Sequence, residues 1–416
     1  MMIELLLFIV FVTLSCFLLY DFFRNKYYSA RFWFICVYLS WFFPQLLNVY
    51  QSSSFDESTK ISFILYSYFC IVFFIVGNCI VNFKDKLFFN EFDEKKINFW
   101  LLIATTVASV SYLKARSVLD VYAELYGGHL TGFITILFFL SRIFIYTYAV
   151  SFYNFLDKRN VASFILMLPS LLYFLDRILI YGRRSSLAEF FIITTFILYF
   201  KCNKKVSKRY LIVGIVCAVM FIHGVGKYRE IMSDPTKSLS EFSLVNSFQE
   251  GVTNVNASEA LLAMAKIDYV YVNDLYDFGA EAWDRIVHSF IPGQLIGHDL
   301  KKYITLNYNT VTNADVVYSG TSGLTNTGFF DSFHAFSFAG VLIFFCFGVF
   351  SKYLYVKACT NNYIFVIFYS SSLPQLLHTI THSTTHYIIE VISFNLFFGM
   401  YFLFFCKKGT GYVGNA

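Results

Sequence analysis

Apolar stretches of about 18 to 20 residues recur along the whole chain, and a backbone built that way hides its polar groups best as helices crossing a bilayer core about 30 Å thick. With a window of about 19 residues the runs fall near 3–19, 32–50, 61–81, 100–113, 132–154, 161–180, 186–200, 210–226, 336–350, 363–378 and 387–405. This predicts an all-α polytopic membrane protein of about eleven transmembrane helices. The runs over 5–19 and 61–81 lack the period-two alternation of a membrane β-barrel strand. Only 14% of the 416 residues are charged and 57% are hydrophobic, where a soluble domain carries about 25% charged residues. A soluble enzyme, a disordered chain, collagen, a coiled coil and a disulfide scaffold are all excluded by these figures.

In such a chain the location of charge carries more than its sum of +5. If the loops near 20–31, 82–99, 155–160, 201–209 and 351–362 and the tail after 405 share one side, that side collects 18 of the 32 basic residues, against five in the short loops opposite. The positive-inside rule then makes it cytoplasmic, with the N-terminus outside and the C-terminus inside. The first helix has Glu4 near its start and neither a basic n-region nor a small-residue cleavage site, so a retained anchor is expected.

One segment departs from the short-loop pattern. The expected organisation is a single integral membrane domain, with helices one to eight over 1–226, a large extracytoplasmic loop over 227–335, and helices nine to eleven plus a cytoplasmic tail over 336–416. The loop reverses the charge balance: seven basic residues (Lys227, Arg229, Lys237, Lys266, Arg285, Lys301, Lys302) face thirteen acidic ones. A loop of that length should fold over the membrane domain. Asn256 and Glu259 have the spacing of a capping box opening an amphipathic helix through about Trp283, while 307–327, rich in Thr, Asn, Ser and Gly, reads as irregular chain near a substrate. The nine cysteines (Cys16, Cys36, Cys70, Cys79, Cys202, Cys217, Cys346, Cys359, Cys406) all lie outside the loop, which fits free thiols. Zinc spacing, a P-loop, a dinucleotide fingerprint and an internal repeat are missing from the sequence, and nucleic acid is not expected as a partner.

Charges that break the membrane rules mark candidate sites. Gly182, Arg183, Arg184 and Ser185 occupy a very short outer turn, where adjacent guanidiniums suit a phosphate or pyrophosphate through bidentate bonds; lipid headgroups or the acidic loop are the alternative contacts. Arg177, beside Asp176 inside an apolar helix, should face protein or a water-filled cleft, with a structural pair to Asp176 or another helix as the plainer role. Arg142 is treated in the same way. Arg229 and Arg285 flank the folded part of the loop, each beside an acidic neighbour that offers a simple salt bridge instead. Asp331 and His334, three apart at a helix entrance, can point into one cleft and take a proton from a sugar hydroxyl; otherwise Asp331 caps the helix and His334 is a satisfied interfacial histidine. His378, His382, His386 and Glu390 recur every four residues, but a turn near 380–385 should split that stripe, so a polar cleft lining is expected instead of a metal site.

The helix count, the Gly-Arg-Arg-Ser turn, the long loop and its closing Gly-Phe-Phe-Asp-Ser-Phe-His-Ala-Phe-Ser-Phe-Ala-Gly resemble the bacterial O-antigen or oligosaccharide repeat-unit polymerases, the Wzy family. Asp331, Phe333, Phe336 and Gly340 occupy places comparable to that family's acidic, aromatic and apolar-glycine steps; Ser337 departs from it, standing where a first glycine is expected. The resemblance implies a GT-C-like, metal-independent membrane glycosyltransferase without cofactor. It would transfer a growing glycan from undecaprenyl pyrophosphate to the non-reducing end of another undecaprenyl-linked repeat unit, on the periplasmic face of the bacterial inner membrane. On this view Arg183, Arg184 and Arg285 hold the pyrophosphate with Arg177 and Arg229 in support, Asp331 or His334 handles the acceptor hydroxyl, and the partners are lipid-linked oligosaccharides, the bilayer and a possible chain-length regulator protein. An O-antigen ligase of the same superfamily is the nearest rival, disfavoured by Ala335 after His334. A flippase for the same lipid-linked sugars is the rival of a different class, and the missing half-repeat argues against it.

Overall fold

The computed structural model describes residues 2–81, 94–126, 133–203, 206–216, 258–291, 293–306 and 326–405. All regular structure among them is helical. Nine helical segments there are long and apolar enough to cross a membrane, the architecture of a polytopic membrane protein.

The first helices are α1 (Met2–Phe23), α2 (Ala30–Gln51), α3 (Glu57–Ile80), α4 (Glu94–Tyr126), α5 (Phe133–Ser141) and α6 (Ile143–Lys158). They are followed by α7 (Val161–Ile180) and α8 (Arg184–Cys202). The long segment contributes α9 (Glu259–Asn273) and α10 (Ala280–Phe290), with short helices over Gly293–Ile296 and His298–Ile304. The chain then forms α11 (Gly328–Phe336), α12 (Val341–Cys359), α13 (Tyr363–His378) and α14 (Thr385–Phe405). Two expected spans are not among the nine. The one near 363–378 is a helix of 16 residues, and the one near 210–226 is described only to residue 216.

Close packing between α3 and α12 organises the bundle. A side chain added at Gly77 would come within 2.3 Å of the Phe345 carbonyl oxygen, and one added at Gly348 within 2.2 Å of the Phe74 carbonyl oxygen. Only glycine lets the two backbones approach this closely, as small residues do between membrane helices. Asn78 strengthens the seam by donating to the Gly348 carbonyl at 3.4 Å and the Ser351 hydroxyl at 3.3 Å.

Two helices are locally widened into π turns, Tyr38–Phe42 in α2 and Asp176–Ile180 in α7. Such insertions expose backbone and re-aim side chains, and they recur at functional sites. Here they carry Trp41 and Arg177.

The helix expected from Asn256 to about Trp283 is two helices. Asn256 lies outside the described residues. Ser258 is the cap of α9, its hydroxyl accepting from the Leu261 N–H at 3.2 Å, and Asp274, at φ 53, ends that helix in a left-handed turn. Trp283 belongs to α10. The helix expected to begin near 336 also differs, because α11 and α12 are separated by a short 3-10 turn at Ser337–Gly340, where Ser337 has φ 52. The 19 residues of α12 span about 28 Å at 1.5 Å each, enough for the bilayer core without α11.

Candidate functional site

Residues from α10, α11 and the turn between α13 and α14 converge on one buried polar centre. Asp277, just before α10, builds its first turn: its carboxylate accepts from the Gly279 N–H at 3.0 Å and the Glu281 N–H at 2.8 Å. The Asp277 N–H donates to the His334 carbonyl at 3.0 Å, tying this turn to α11. One helical turn further on, Arg285 pairs with Glu281, and its Nη1 lies 3.8 Å from Asp331 Oδ2. Glu281 Oε2 is also 3.3 Å from His334 Nδ1, with Asp277 Oδ2 at 3.9 Å.

Thr327, not Asp331, caps α11, its hydroxyl accepting from the Phe330 N–H at 3.2 Å. Asp331 is thereby released to face Arg285, and its Oδ1 is buried without a hydrogen bond. Arg285 pairs with Glu281 and Asp331, while the adjacent Asp284 accepts from the Leu306 N–H at 2.7 Å. His334 is 1% exposed and stacks on Phe330 with ring centroids 5.4 Å apart. Burial pushes the Glu281 carboxyl up, but His334 and Arg285 beside it win and hold it below the usual carboxylate range.

The turn after α13 forms the next wall. The Gly328 N–H donates to the Thr379 carbonyl at 2.9 Å, an approach so close that a Cβ at 328 would sit 2.2 Å from that oxygen. As expected, the His378, His382, His386 stripe is broken, since α13 ends at His378 and α14 starts at Thr385. The rings nonetheless stay neighbours, with centroids 5.6 Å and 6.0 Å apart. Burial and, after it, the nearby Arg184 charge hold the His382 imidazole below its ordinary value.

Arg183 and Arg184 stand at the start of α8, Arg183 as its cap after Gly182 in a left-handed conformation at φ 54. The Arg184 guanidinium lies 5.1 Å from the Trp41 ring centroid, and the indole N–H donates to Glu259 Oε2 at 3.0 Å. Burial raises the Glu259 carboxyl to about 6 against the lowering influence of Trp41 and Arg184. Through this contact the start of α9 rests on α2 and α8 beside the arginine turn.

Arg177 does not pair with its neighbour. Asp176 is held by Arg116 at 2.7 Å and by the Tyr112 hydroxyl, while Arg177 lies over the Tyr173 ring at 5.8 Å with its Nε buried and without a hydrogen bond. Deeper in the bundle Arg142 pairs with Glu390 at 3.0 Å, and Gln375 donates to Glu189 at 2.5 Å. Arg229 lies outside the described residues, as does 307–325 of the expected irregular stretch.

Sequence reading missed Glu281, Asp277, Trp41 and Glu259. Glu281 had a local signal, an acidic residue four positions before Arg285 on one helix face. The donor atoms of Asp277, Glu281 and His334 lie within 4.8 Å of one another, a spacing that a divalent ion can bridge. The Asp277 oxygens already accept from backbone amides, and those of Glu281 face Arg285 and His334, so the carboxylates are internally compensated.

Comparison of the chain with protein-family models, with curated proteins and with solved structures gives no match. The family resemblance therefore rests on the residues themselves.

Proposed function

We propose that this chain is a polysaccharide polymerase of the Wzy type, a membrane glycosyltransferase acting at the outer surface of a bacterial inner membrane. The observation that carries the reading is the meeting of Arg285 with Asp331 and, through Glu281, with His334: a fixed cation beside two groups able to take a proton. An arginine in such a pocket suits the leaving pyrophosphate, whose charge grows as the anomeric bond breaks. A carboxylate or imidazole next to it suits the acceptor hydroxyl.

In the proposed step the acceptor hydroxyl oxygen forms a bond to the anomeric carbon of the growing glycan. The bond from that carbon to the pyrophosphate oxygen breaks, undecaprenyl pyrophosphate leaves, and the hydroxyl proton passes to Asp331 or His334. Arg285 and the Arg183–Arg184 pair neutralise the leaving group. Charge-assisted hydrogen bonds contribute about 1.5 to 3 kcal/mol each, so two or three arginines supply a useful part of the barrier reduction. Arg177, with an unbonded Nε, supports them from the π turn of α7.

A lipid-linked oligosaccharide transporter is the second reading. The observation in its favour is the Arg142–Glu390 pair within the bundle, since ionisable groups at membrane depth often line transport paths. One experiment separates the two. Purified protein in detergent, supplied with undecaprenyl-linked repeat units, should lengthen them; unchanged glycan length would reject the polymerase. In a deletion strain, single repeat units on lipid A core indicate a lost polymerase, and lipid-linked polymer that never reaches core indicates a lost ligase.

A further inference from the structure

We infer that Glu281 is the positioning residue of this site, the one carboxylate that both aims the Arg285 guanidinium and fixes which ring nitrogen of His334 carries the proton. One of its oxygens engages Arg285, a helical turn further along α10, and the other lies 3.3 Å from His334 Nδ1 on α11. Asp277 lies near His334 and Asp331 near Arg285, and Glu281 stands between the two groups with one oxygen toward each.

The surroundings hold Glu281 firmly. Its own N–H donates to Asp277 at 2.8 Å, and the Asp277 N–H donates to the His334 carbonyl at 3.0 Å, so α10 cannot turn about its axis without breaking its tie to α11. Asp277 is the competing partner for His334, but it is farther, at 3.9 Å, and its oxygens serve the first turn of α10. A carboxylate facing Nδ1 keeps the proton on that nitrogen and leaves the lone pair on Nε2. An orienting acid does the same for any histidine that must act as a base.

The catalytic consequence of this assignment rests on the polymerase reading, whereas the assignment of the proton does not. Glu281 touches neither reacting atom. It acts through Arg285, which meets the leaving group, and through His334, which meets the acceptor hydroxyl. Its loss therefore disturbs both ends of the transfer at once.

The test uses the full chain in lipid nanodiscs with 15N-labelled imidazoles, the His334 signals being identified by their loss in His334→Gln. The wild type should show His334 protonated on Nδ1. Glu281→Gln, whose amide can donate as well as accept, should shift a large part of the population to the other tautomer, and Glu281→Asp should keep the original one. If Glu281→Gln does not fold, the wild type and Glu281→Asp carry the test, and an Nε2-protonated ring in both overturns the inference. In the polymer assay Glu281→Gln should slow turnover by about 10²- to 10⁴-fold, the usual range for a lost acid–base function, with Glu281→Asp restoring part of it. A tautomer that is the same in the wild type and Glu281→Gln overturns the inference, as does a Glu281→Gln enzyme as fast as the wild type. A tautomer that follows Glu281 in a protein that lengthens no glycan upholds the proton assignment and removes the polymerase reading alone.

Discussion

Arg285 on α10 and Asp331 on α11 lie 3.8 Å apart, although they are distant in the chain and the membrane-crossing α12 begins only a few residues after Asp331. The long segment thus delivers its arginine to the entrance of a membrane helix, where the Asp331 side chain is 9% exposed and the Arg285 side chain 32%.

Removing that arginine should cost both stability and activity. Breaking a buried pair costs about 3 to 5 kcal/mol, but water screens the partly exposed guanidinium, so about 1 to 2 kcal/mol is expected for Arg285→Ala. Arg285→Lys keeps the charge and loses the planar fork that engages Glu281 and, in the proposed function, a phosphate as well. Thermal unfolding in detergent should rank wild type, Lys and Ala in that order, and polymer length on a gel should follow the same order. A normal ladder from Arg285→Ala would remove this residue from the mechanism.

Ser337 carries a backbone conformation that glycine prefers, φ 52 with ψ −138. A non-glycine residue held there costs about 1 to 3 kcal/mol, against about 0.5 to 1 kcal/mol of extra chain entropy lost by glycine on folding. Ser337→Gly should therefore stabilise the protein by about 1 kcal/mol, and Ser337→Val should destabilise it. Unfolding midpoints measured in one detergent decide the matter; a lower midpoint for the glycine variant contradicts the argument.

The membrane helices were legible because an apolar run is a one-dimensional signal that the bilayer alone explains. Their irregularities were not: the π turns at Tyr38–Phe42 and Asp176–Ile180, the break at Ser337–Gly340 and the interruption between α5 and α6 at Arg142 arise from packing against other helices. Within the site, Arg285, Asp331 and His334 could be named because charge and imidazole near an apolar run are conspicuous, and the structure brings these three together. Glu281 and Asp277 escaped notice because acidic residues are common in that segment and only the docking of α10 on α11 gives these two their partners. The partner of Asp176 was hidden for the same reason: it is drawn to Arg116 and Tyr112 on α4, not to the adjacent Arg177.

Arg142 and Glu390 form a pair at 3.0 Å with the Glu390 side chain 1% exposed. Arg142→Ala leaves that carboxylate without its guanidinium; because the Arg142 side chain is 33% exposed, the loss should fall below about 3 to 5 kcal/mol, the cost of breaking a fully buried pair. Glu390→Gln, which leaves the more exposed partner behind, should cost less. The double variant should be more stable than the sum of the two losses implies, with a coupling of about 1 to 3 kcal/mol. Additive losses in a double-mutant cycle would mean that the two side chains do not interact in the membrane.

Glu259 predicts a pH dependence of opposite sign to that of an ordinary paired carboxylate. Burial raises its carboxyl from 4.5 to about 6, with Trp41 and Arg184 opposing. Because the folded value lies above the unfolded one, the folded state holds the proton more tightly, and the stabilisation is complete below pH 4.5 and is lost as the pH rises through about 6. At 1.36 kcal/mol per unit the wild type should lose about 2 kcal/mol across that window relative to Glu259→Gln, which cannot titrate. Glu281 works in the other direction, its lowered carboxyl adding stability above the usual carboxylate range that fades as the pH falls. The comparison between wild type and Glu259→Gln isolates the first effect, because Glu281 is common to both. Parallel stability curves for the two proteins between pH 4.5 and 7 would show that Glu259 is solvated instead of sealed beneath Trp41.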